Sequence, residues 1–337
     1  MTVTVIVCAY TLERWDALKN AVGSCLSQTR RPDQVVVVVD HNDELLARAT
    51  EELEGVLVVA NASKKGLSGA RNTGVEASRG EIVAFLDDDA FADPGWLAAL
   101  CAPFEEDAVA GVGGWIVPAW QGDVAAWFPE TYYWILGCSY HGLPPSGATL
   151  RNPIGANMAI RRRVFEAVGG FTSGIGRIGK VPLGCEETEL CIRYTARAPS
   201  DRFVLARDAV VHHLVPPSRL SWHYFRTRCW AEGLSKAAVS SLVGTKSGLA
   251  SERAHLARSL PRELGICIRQ LPRHPRRAVT KGSLIVAGAS IAAAGLLRGN
   301  AALRREPLTP GGDELRLHTS SEGDSDGTLP FGARRAG

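Results

Sequence analysis

Three consecutive aspartates, Asp87, Asp88 and Asp89, are the residues of this sequence best suited to chemistry. They follow the apolar run 82–86, which predicts a strand buried on both faces and ending at the rim where open parallel sheets bind ligands. Clustered carboxylates repel one another unless a cation lies between them, and such oxygen ligands suit Mg²⁺ or Mn²⁺ with a substrate phosphate. A divalent cation that holds a diphosphate is one interpretation; an acidic turn that caps a helix at Asp93 is the other.

A second pair of carboxylates, Glu186 and Glu187, opens a stretch with helical spacing. The dipole at a helix N-terminus favours the charged form of a carboxylate, and a carboxylate in that position can act as a general base. An ordinary acidic first turn is the alternative. Residues 172–184, directly before the pair, are rich in glycine with Arg177 and Lys180, which predicts a loop that closes over substrate and excludes water.

The elements that must position these groups alternate between strand and helix. Strands are predicted at residues 2–8, 34–39, 56–60 and 82–86, with helical patterns at 15–26, at 43–53 and from residue 66. This alternation predicts an α/β fold with a mainly parallel sheet and helices on both faces. Each of these strands ends in polar residues, which therefore share one rim of the sheet.

The residues at that rim fit a nucleotide. Asp40 could accept a hydrogen bond from a base or a ribose hydroxyl, Tyr10 could stack on the base, and Arg71 could meet a phosphate. Each also has a plain structural explanation, as a turn former, a half-buried packing residue or a surface cation. Neither a dinucleotide-binding glycine fingerprint nor a phosphate-loop motif follows the first strand, which argues against those two site types.

Taken together, these motifs resemble those of family 2 glycosyltransferases. The resemblance covers roughly residues 3–235 and rests on Tyr10, Asp40, residues 69–72, 85–89, 155–158 and 169–171, and residues 186–193. Residues 132–138, 151–152, 185–188 and 211–213 look more specifically like the glucosyl-dolichyl phosphate glucuronosyltransferase group, whose acceptor is a lipid-linked sugar. Where the family has Asp-Asp-Gly-Ser, this chain has Asp40-His41-Asn42-Asp43. Where the family has aspartate as the second residue of its base motif, this chain has Glu187.

The resemblance implies a GT-A fold and an inverting, metal-assisted transfer from a nucleotide-diphosphosugar, with a UDP-linked donor expected. Carried over residue by residue, it implies a set of residues for each role in the site. The nucleotide-sugar set comprises Ala9, Tyr10, Asp40, Gly69, Arg71, Asp87 and Asp88; the metal set comprises Asp87, Asp89 and His213; the catalytic base is Glu187, or Glu186 if the register is shifted by one; and the acceptor set comprises Trp134, Asn157 and Glu186.

The middle of the chain changes character. Residues 111–117 and 155–160 predict strands, and the basic run from residue 161 starts a helix that ends at Gly169 and Gly170. Seven aromatic residues between 115 and 134 form either an acceptor platform or core packing under a long connection. His213 follows an apolar run, which suits either a metal ligand or a hydrogen-bonded core histidine.

The composition is that of an ordinary globular protein, with 337 residues, 45% hydrophobic residues and a net charge of +3. It demands no polyanionic partner, so nucleic-acid binding is not expected. The eight cysteines include no Cys-x-x-Cys pair, and the chain opens on a predicted strand without a signal-peptide pattern. Reduced thiols in the cytosol are therefore expected.

The C-terminal third differs in kind from the rest. Residues 220–238 are basic and aromatic, which is typical of a helix at a membrane interface, and arginines accumulate from Arg253 and Arg258 onward. Residues 284–297 are uncharged but shorter than the ~20 residues of a full span, so we expect a membrane-associated segment or a buried helix. The expected division is a catalytic domain at 1–218, a helical region at 219–303 and a disordered tail at 304–337.

The sequence therefore predicts a metal-dependent inverting glycosyltransferase, assisted by Mg²⁺ or Mn²⁺, at the cytosolic face of the membrane. Its partners would be a nucleotide-diphosphosugar donor and a lipid-linked or other glycan acceptor. One alternative is direct transfer onto a polyprenyl phosphate, whose acceptor oxygen is already anionic and has less need of a base. The other is a non-catalytic protein that binds nucleotide sugars.

Overall fold

The computed structural model describes residues 1–123, 127–173, 184–244 and 260–305. Within these ranges the strands are β1 (Val3–Ala9), β2 (Gln34–Val39), β3 (Leu57–Ala60), β4 (Ile82–Asp87), β5 (Ala90–Ala92), β6 (Val109–Trp120), β7 (Thr149–Leu150), β8 (Asn157–Arg161) and β9 (Arg202–Val215). The α-helices are α1 (Trp15–Leu26), α2 (Asp43–Glu52), α3 (Leu67–Ala77), α4 (Trp96–Cys101), α5 (Arg162–Val168), α6 (Glu186–Arg197), α7 (Trp222–Val243), α8 (Leu260–Gln270) and α9 (Pro275–Arg305).

The strands form one mixed sheet in the order β3-β2-β1-β4-β8-β6-β9-β5, with β7 paired to β9. The first four run parallel, so their carboxyl ends meet at one rim. In this register Ala9 lies beside Val39, and Cys8 lies beside Asp87. The predicted α/β fold with a mainly parallel sheet is confirmed, and β1 to β4 lie within a residue or two of the predicted strands.

The second half of the sheet brings a distant strand to the aspartates. Strand β8 runs antiparallel to β4, and the long β9 runs parallel to β6 and antiparallel to the short β5. Ala90, the first residue of β5, pairs with His213 of β9. This pairing places a histidine more than a hundred positions away in the chain next to Asp89.

Two apolar layers hold the sheet rigid. On one face α1 and α4 bury Leu18, Trp96 and Leu100 against the sheet. On the other, Phe85 of β4 lies edge-on to Phe165 and Phe171, at centroid distances of 6.3 and 5.7 Å. Because both faces of β4 are buried, the residues that follow it are held in a fixed position at the rim.

The C-terminal helices pack on this domain instead of standing apart. Gly233 of α7 and Gly295 of α9 bring the two helix backbones into contact, since a Cβ at either position would collide with the backbone of the other helix. The hydroxyl of Tyr132, in the 3₁₀ helix Glu130–Leu136, donates a 2.9 Å hydrogen bond to the carbonyl of Ile285 in α9. The inner face of α9 is therefore docked on α7 and on the 3₁₀ helix that contains Tyr132.

Two sequence expectations need correction here. The apolar segment 284–297 is part of a 31-residue helix, α9, because the basic residues on both sides continue the helix. At ~1.5 Å per residue such a helix exceeds the ~30 Å of a bilayer core. The helix after the aspartates begins at Trp96 with Gly95 as its N-cap, so Asp93 is not the cap; its carboxylate instead pairs with His212 at 2.9 Å.

Several other expectations fall on residues that the structure does not describe. The loop 172–184 has only its two ends, 172–173 and 184, within the described ranges. Arg177, Lys180, Arg253 and Arg258 lie outside them, as does the chain beyond residue 305.

Candidate active site

The aspartates that follow β4 are enclosed by cations from three parts of the chain. Arg14, after β1, lies 2.8 Å from Asp88 and 3.2 Å from Asp89. The imidazole Nε2 of His213 lies 3.1 Å from one oxygen of Asp89, and Arg219, between β9 and α7, lies 3.0 Å from the other. The mutual repulsion of the carboxylates is therefore offset by protein cations.

These charges and burial shift the pKa values of the cluster in opposite directions. Burial and the neighbouring charge of Asp89 raise the pKa of Asp88 to about 7. Burial would also raise the pKa of Asp89, but His213, Arg14 and Arg219 hold it well below its usual range. Burial would lower the pKa of His213, but the ion pair with Asp89 raises it to about 10. The cluster thus favours the ionised forms of both Asp89 and His213.

The residues present fit a divalent cation. Asp87, Asp89 and His213 each offer a ligand atom, and the three atoms lie within 4.8 Å of one another. The buried Oδ2 of Asp88 accepts no hydrogen bond within the described part of the chain. Two carboxylates with one imidazole suit Mn²⁺ better than Mg²⁺, because magnesium strongly prefers oxygen ligands. The predicted metal residues are thus brought together, although β4 and β9 are far apart in sequence.

Arg71 joins the aspartate cluster to the second acidic pair. Arg71 is 2% exposed, and its guanidinium carbon lies 5.7 Å from the ring centroid of Phe85 and 5.6 Å from that of Phe171. It donates a 2.6 Å hydrogen bond to Glu186 and one of 3.1 Å to the carbonyl of Gly155, and it lies 3.7 Å from Asp87. Arg71 lines the cavity beside the aspartates, and in this structure its charge is directed at two protein carboxylates.

Glu186 and Glu187 occupy different environments at the start of α6. Both line the cavity, but Glu186 is buried and bound to Arg71, whereas Glu187 is partly exposed. Desolvation, followed by the adjacent charge of Glu186, raises the pKa of Glu187 to about 8, against the opposing charges of Arg71 and Lys236. A carboxylate whose pKa lies near neutrality and which faces a cavity suits general-base chemistry. The geometry thus favours Glu187 over Glu186 as the base.

Three of the residues expected to hold the nucleotide lie at one edge of the cavity. Ala9, Tyr10 and Asp40 line the same cavity as the aspartates. Both oxygens of Asp40 already accept hydrogen bonds, from the Asn61 side chain at 2.6 Å and from the Gly66 backbone at 2.9 Å. These contacts fix the carboxylate at the edge of the cavity, where each oxygen has a second lone pair for a ligand.

Two predicted site residues, Gly69 and Asn157, are not part of the described cavity wall. Gly69 lies in the first turn of α3, where a Cβ would collide with the carbonyl of Lys64, so glycine is required for packing. Asn157 is fully buried in β8: its Oδ1 accepts from the Trp96 indole at 2.8 Å, and its Nδ2 donates to the carbonyls of Trp115 and Ala209. Asn157 is therefore a structural residue, whereas Trp134 does line the cavity.

The cavity has a volume of about 1340 Å³ and includes residues that the sequence patterns did not identify. Arg14 and Arg219, paired with the aspartates, are two of them. Glu232 and Lys236 of α7 are two more; they form a 3.1 Å ion pair in the cavity wall. In the sequence, this pair is visible as a Glu and a Lys four residues apart on a predicted helix. The same spacing is equally typical of a solvent-exposed helix face, so it does not by itself indicate a cavity wall.

Helix α7 also holds the N-terminus of α6. The hydroxyl of Ser235 accepts a 3.1 Å hydrogen bond from the backbone of Gly184, and the thiol of Cys185 lies 3.8 Å from Glu232. Cys185 has a positive φ of 77°, a strained conformation for a residue other than glycine. These contacts fix the turn that presents Glu186 and Glu187 to the cavity.

Comparison with known proteins gives matches along most of the chain. The model of glycosyl transferase family 2 matches residues 4–169. A glucosyl-dolichyl phosphate glucuronosyltransferase of Haloferax volcanii is 34% identical over 247 residues, which are 72% of this chain and 78% of that protein. Polypeptide N-acetylgalactosaminyltransferase 12 of Mus musculus is 27% identical over 197 residues, 51% of this chain and 34% of that protein.

Two solved structures share the fold. A mannosyltransferase of Pyrobaculum calidifontis in complex with GDP-Man and Mn²⁺ matches with a TM-score of 0.51 and 17% identity, covering 86% of each chain. The structure of GalNAc-T7 with UDP, GalNAc and Mn²⁺ matches with the same score and identity, covering 72% of this chain and 51% of that one. At this identity the likeness shows the GT-A fold alone.

Proposed function

The chain belongs to glycosyltransferase family 2, and we propose that it transfers a sugar from a UDP-linked donor to a hydroxyl of a lipid-linked sugar. The observation that carries the proposal is the shared cavity. The aspartates after β4 and Glu187 of α6 line its wall together, and Arg71 ties the two acidic groups to each other. A donor diphosphate and an acceptor hydroxyl can thus be held side by side in one cavity.

In this proposal the donor is held by the rim. Tyr10, Asp40 and Asp88 seat the nucleoside, and Asp87, Asp89 and His213 would hold the divalent cation. When bound, the cation supplies positive charge that stabilises the leaving diphosphate. Arg14 is ion-paired with Asp88, and Arg219 with Asp89. Once a divalent cation neutralises the carboxylates, the two arginines are placed to pair with the diphosphate oxygens instead.

Glu187 is the proposed base. It takes the proton of the acceptor hydroxyl as the acceptor oxygen forms a bond to the anomeric carbon and the bond from that carbon to the diphosphate breaks. A single displacement of this kind inverts the anomeric configuration. Arg71 acts as a positioning residue: it fixes Glu186, and with it the first turn of α6.

A membrane location is proposed from the C-terminal helices. Among the described residues, α9 is the one helix long and apolar enough to cross a membrane, and 17% of its most apolar stretch is buried. Arg276, Arg277 and Lys281 lie in its first turns, where each cation contributes ~1 kcal/mol beside anionic headgroups. All eight cysteines are free thiols, which supports the cytosolic face.

The proposal is tested by incubating the purified full chain with UDP- and GDP-sugars, Mn²⁺ and extracted membrane lipids. Mass spectrometry should show one lipid-linked glycan gaining the mass of a single sugar residue. The Glu187→Gln variant is the matched control and should yield little product. If transfer occurs directly onto a polyprenyl phosphate and is insensitive to Glu187→Gln, the hydroxyl-acceptor proposal is wrong.

A further inference from the structure

Helix α9 has a buried side and, opposite to it, an exposed apolar side. The residues that it buries share one side of the helix, and they are Ala278, Ile285, Gly288, Gly295, Gly299 and Leu303. Val279, Val286 and Leu297 are 57%, 54% and 70% exposed. At ~100° per residue these three side chains project within about 20° of one another and away from the buried side. We call this line of three side chains the outer face; it is about 27 Å long at ~1.5 Å per residue.

The buried side of α9 is fastened to the protein near both of its ends. Towards the start, the carbonyl of Ile285 accepts the hydrogen bond from Tyr132, and a Cβ at Gly288 would collide with the Tyr132 ring. Towards the end, a Cβ at Gly299 would lie 2.6 Å from the Cβ of Ala237 in α7. The two ends of α9 are therefore held against the same body of protein.

This packing is incompatible with a helix that crosses a bilayer. The uncharged stretch that would have to cross, residues 282–297, is the stretch that packs on Tyr132 and on the middle of α7. Helix α7 carries four charged residues, which are Arg226, Arg228, Glu232 and Lys236. If α9 crossed the bilayer, it would carry α7 and these charges into the hydrocarbon, where a charged side chain is costly.

The cations of α9 lead to the same conclusion. Three of them precede the uncharged stretch and three follow it, and the helix has no acidic residue. The six are Arg276, Arg277, Lys281, Arg298, Arg304 and Arg305. A membrane-spanning helix usually has its excess of Lys and Arg on the cytosolic side alone. Equal numbers at both ends instead suit a helix whose two ends face the anionic headgroups of one leaflet.

We propose that α9 lies in the plane of the membrane, with its outer face in the lipid and its buried side on the protein, and that it docks the chain on an anionic bilayer without crossing it. Of the nine large apolar side chains exposed in the described part of the chain, five belong to α8 and α9; Ile268 and Leu271 are the two on α8. The inference rests on the membrane location in the proposed function, and it does not depend on the transfer reaction.

This orientation places the active site next to the lipid. Gly288, Ala292 and Leu296 of α9 line the active-site cavity. The cavity therefore lies within about one helix diameter, ~10–12 Å, of the bilayer that the outer face contacts.

The orientation is tested at two positions on one side of α9. Thr280 and Arg298 are both exposed and lie about 27 Å apart along the helix at the same angular position. The full chain is produced in bacterial cells as Thr280→Cys or Arg298→Cys, and inside-out membrane vesicles are treated with a membrane-impermeant maleimide before and after detergent. Mass spectrometry should show that both introduced thiols react before detergent, at rates within about twofold of each other. If either thiol reacts only after detergent, the in-plane orientation is wrong.

The lipid contact is tested with the purified full chain and a polarity-sensitive bimane on Val286→Cys. Leu57→Cys is the matched control, because Leu57 is an exposed apolar residue of β3, and the wild type gives the background, since its eight cysteines are buried or half-buried. Vesicles that contain phosphatidylglycerol should shift the bimane emission at position 286 to the blue and leave it unchanged at position 57. The shift should need at least about tenfold less lipid than with phosphatidylcholine vesicles, and high salt should reduce this difference.

Two results of the bimane experiment would overturn the proposal. An unchanged emission at position 286 would show that the outer face does not contact lipid. A blue shift that appears without vesicles and grows with protein concentration would show that a second copy of the chain covers this face. Neither experiment measures sugar transfer, so a chain that passes both tests but transfers no sugar would refute the proposed reaction alone.

Discussion

Replacing Glu187 by glutamine is the change that most directly tests the chemistry. The substitution keeps the shape of the side chain but removes its basicity, and a positioned base typically contributes ~10²–10⁴-fold to the rate, or about 3–5 kcal/mol of barrier. Turnover should fall by that range at saturating donor and acceptor. Donor affinity, measured by calorimetry with UDP and Mn²⁺, should change little, because the aspartate cluster is not altered.

Glu186→Gln is the matched comparison. Glu186 is bound to Arg71 at 2.6 Å, so the neutral amide weakens a buried charge-assisted hydrogen bond. The expected cost is about 1–3 kcal/mol of folding stability, seen as a lower melting temperature. Near-normal turnover in Glu187→Gln, together with lost turnover and an unchanged melting temperature in Glu186→Gln, would refute this assignment of the base. Glu187→Asp should retain partial activity, limited by its shorter reach.

Three further predictions address stability, metal and membrane. Folding raises the pKa of Glu187 from 4.5 to about 8, so its ionisation destabilises the folded wild type progressively as pH rises from 4.5 to 8. Glutamine does not ionise. Glu187→Gln should therefore have a higher melting temperature than wild type at pH 8 and the same melting temperature at pH 4.5. A difference of the opposite sign would show that Glu187 is not desolvated. Asp89→Asn should weaken Mn²⁺-dependent UDP binding by at least about tenfold in calorimetry; unchanged affinity would exclude Asp89 as a metal ligand. Val286→Glu with Leu297→Glu, both on the exposed side of α9, should reduce co-sedimentation with anionic vesicles while the melting temperature stays within a few degrees of wild type, since neither side chain is part of the buried packing. Undiminished sedimentation would show that this face does not contact lipid.

The first half of the fold follows from local patterns in the sequence. Runs such as the five valines ending at Val39 are long, apolar and bounded by polar residues, so the four parallel strands could be predicted from them. The carboxyl ends of parallel strands share a rim, and this geometry alone predicts that Asp40 and Asp87 lie on the same side of the sheet. Glu186 and Glu187 could be placed at a helix start in a similar way, because helix spacing is a local property.

The partners of these residues depend on pairings that no local pattern encodes. His213 reaches Asp89 because β9 pairs with β5, and Arg219 reaches it because the chain turns after β9. Arg71 is bound to Glu186, more than a hundred positions away in the chain, which the sequence around Arg71 does not indicate. Asn157 likewise resembles a site residue, but its hydrogen bonds are satisfied inside the sheet.

Local sequence patterns are thus sufficient to specify the parallel half of the sheet and the carboxylates at its rim, whereas the class of reaction is implied by the resemblance to family 2 glycosyltransferases. Three features depend on the folded chain: which cations neutralise those carboxylates, which of the two glutamates is bound to Arg71, and the contribution of α7 and α9 to the cavity wall. The physical reason is range, because periodicity and capping act over a few residues, whereas burial, ion pairing and cavity shape depend on segments that meet only after folding.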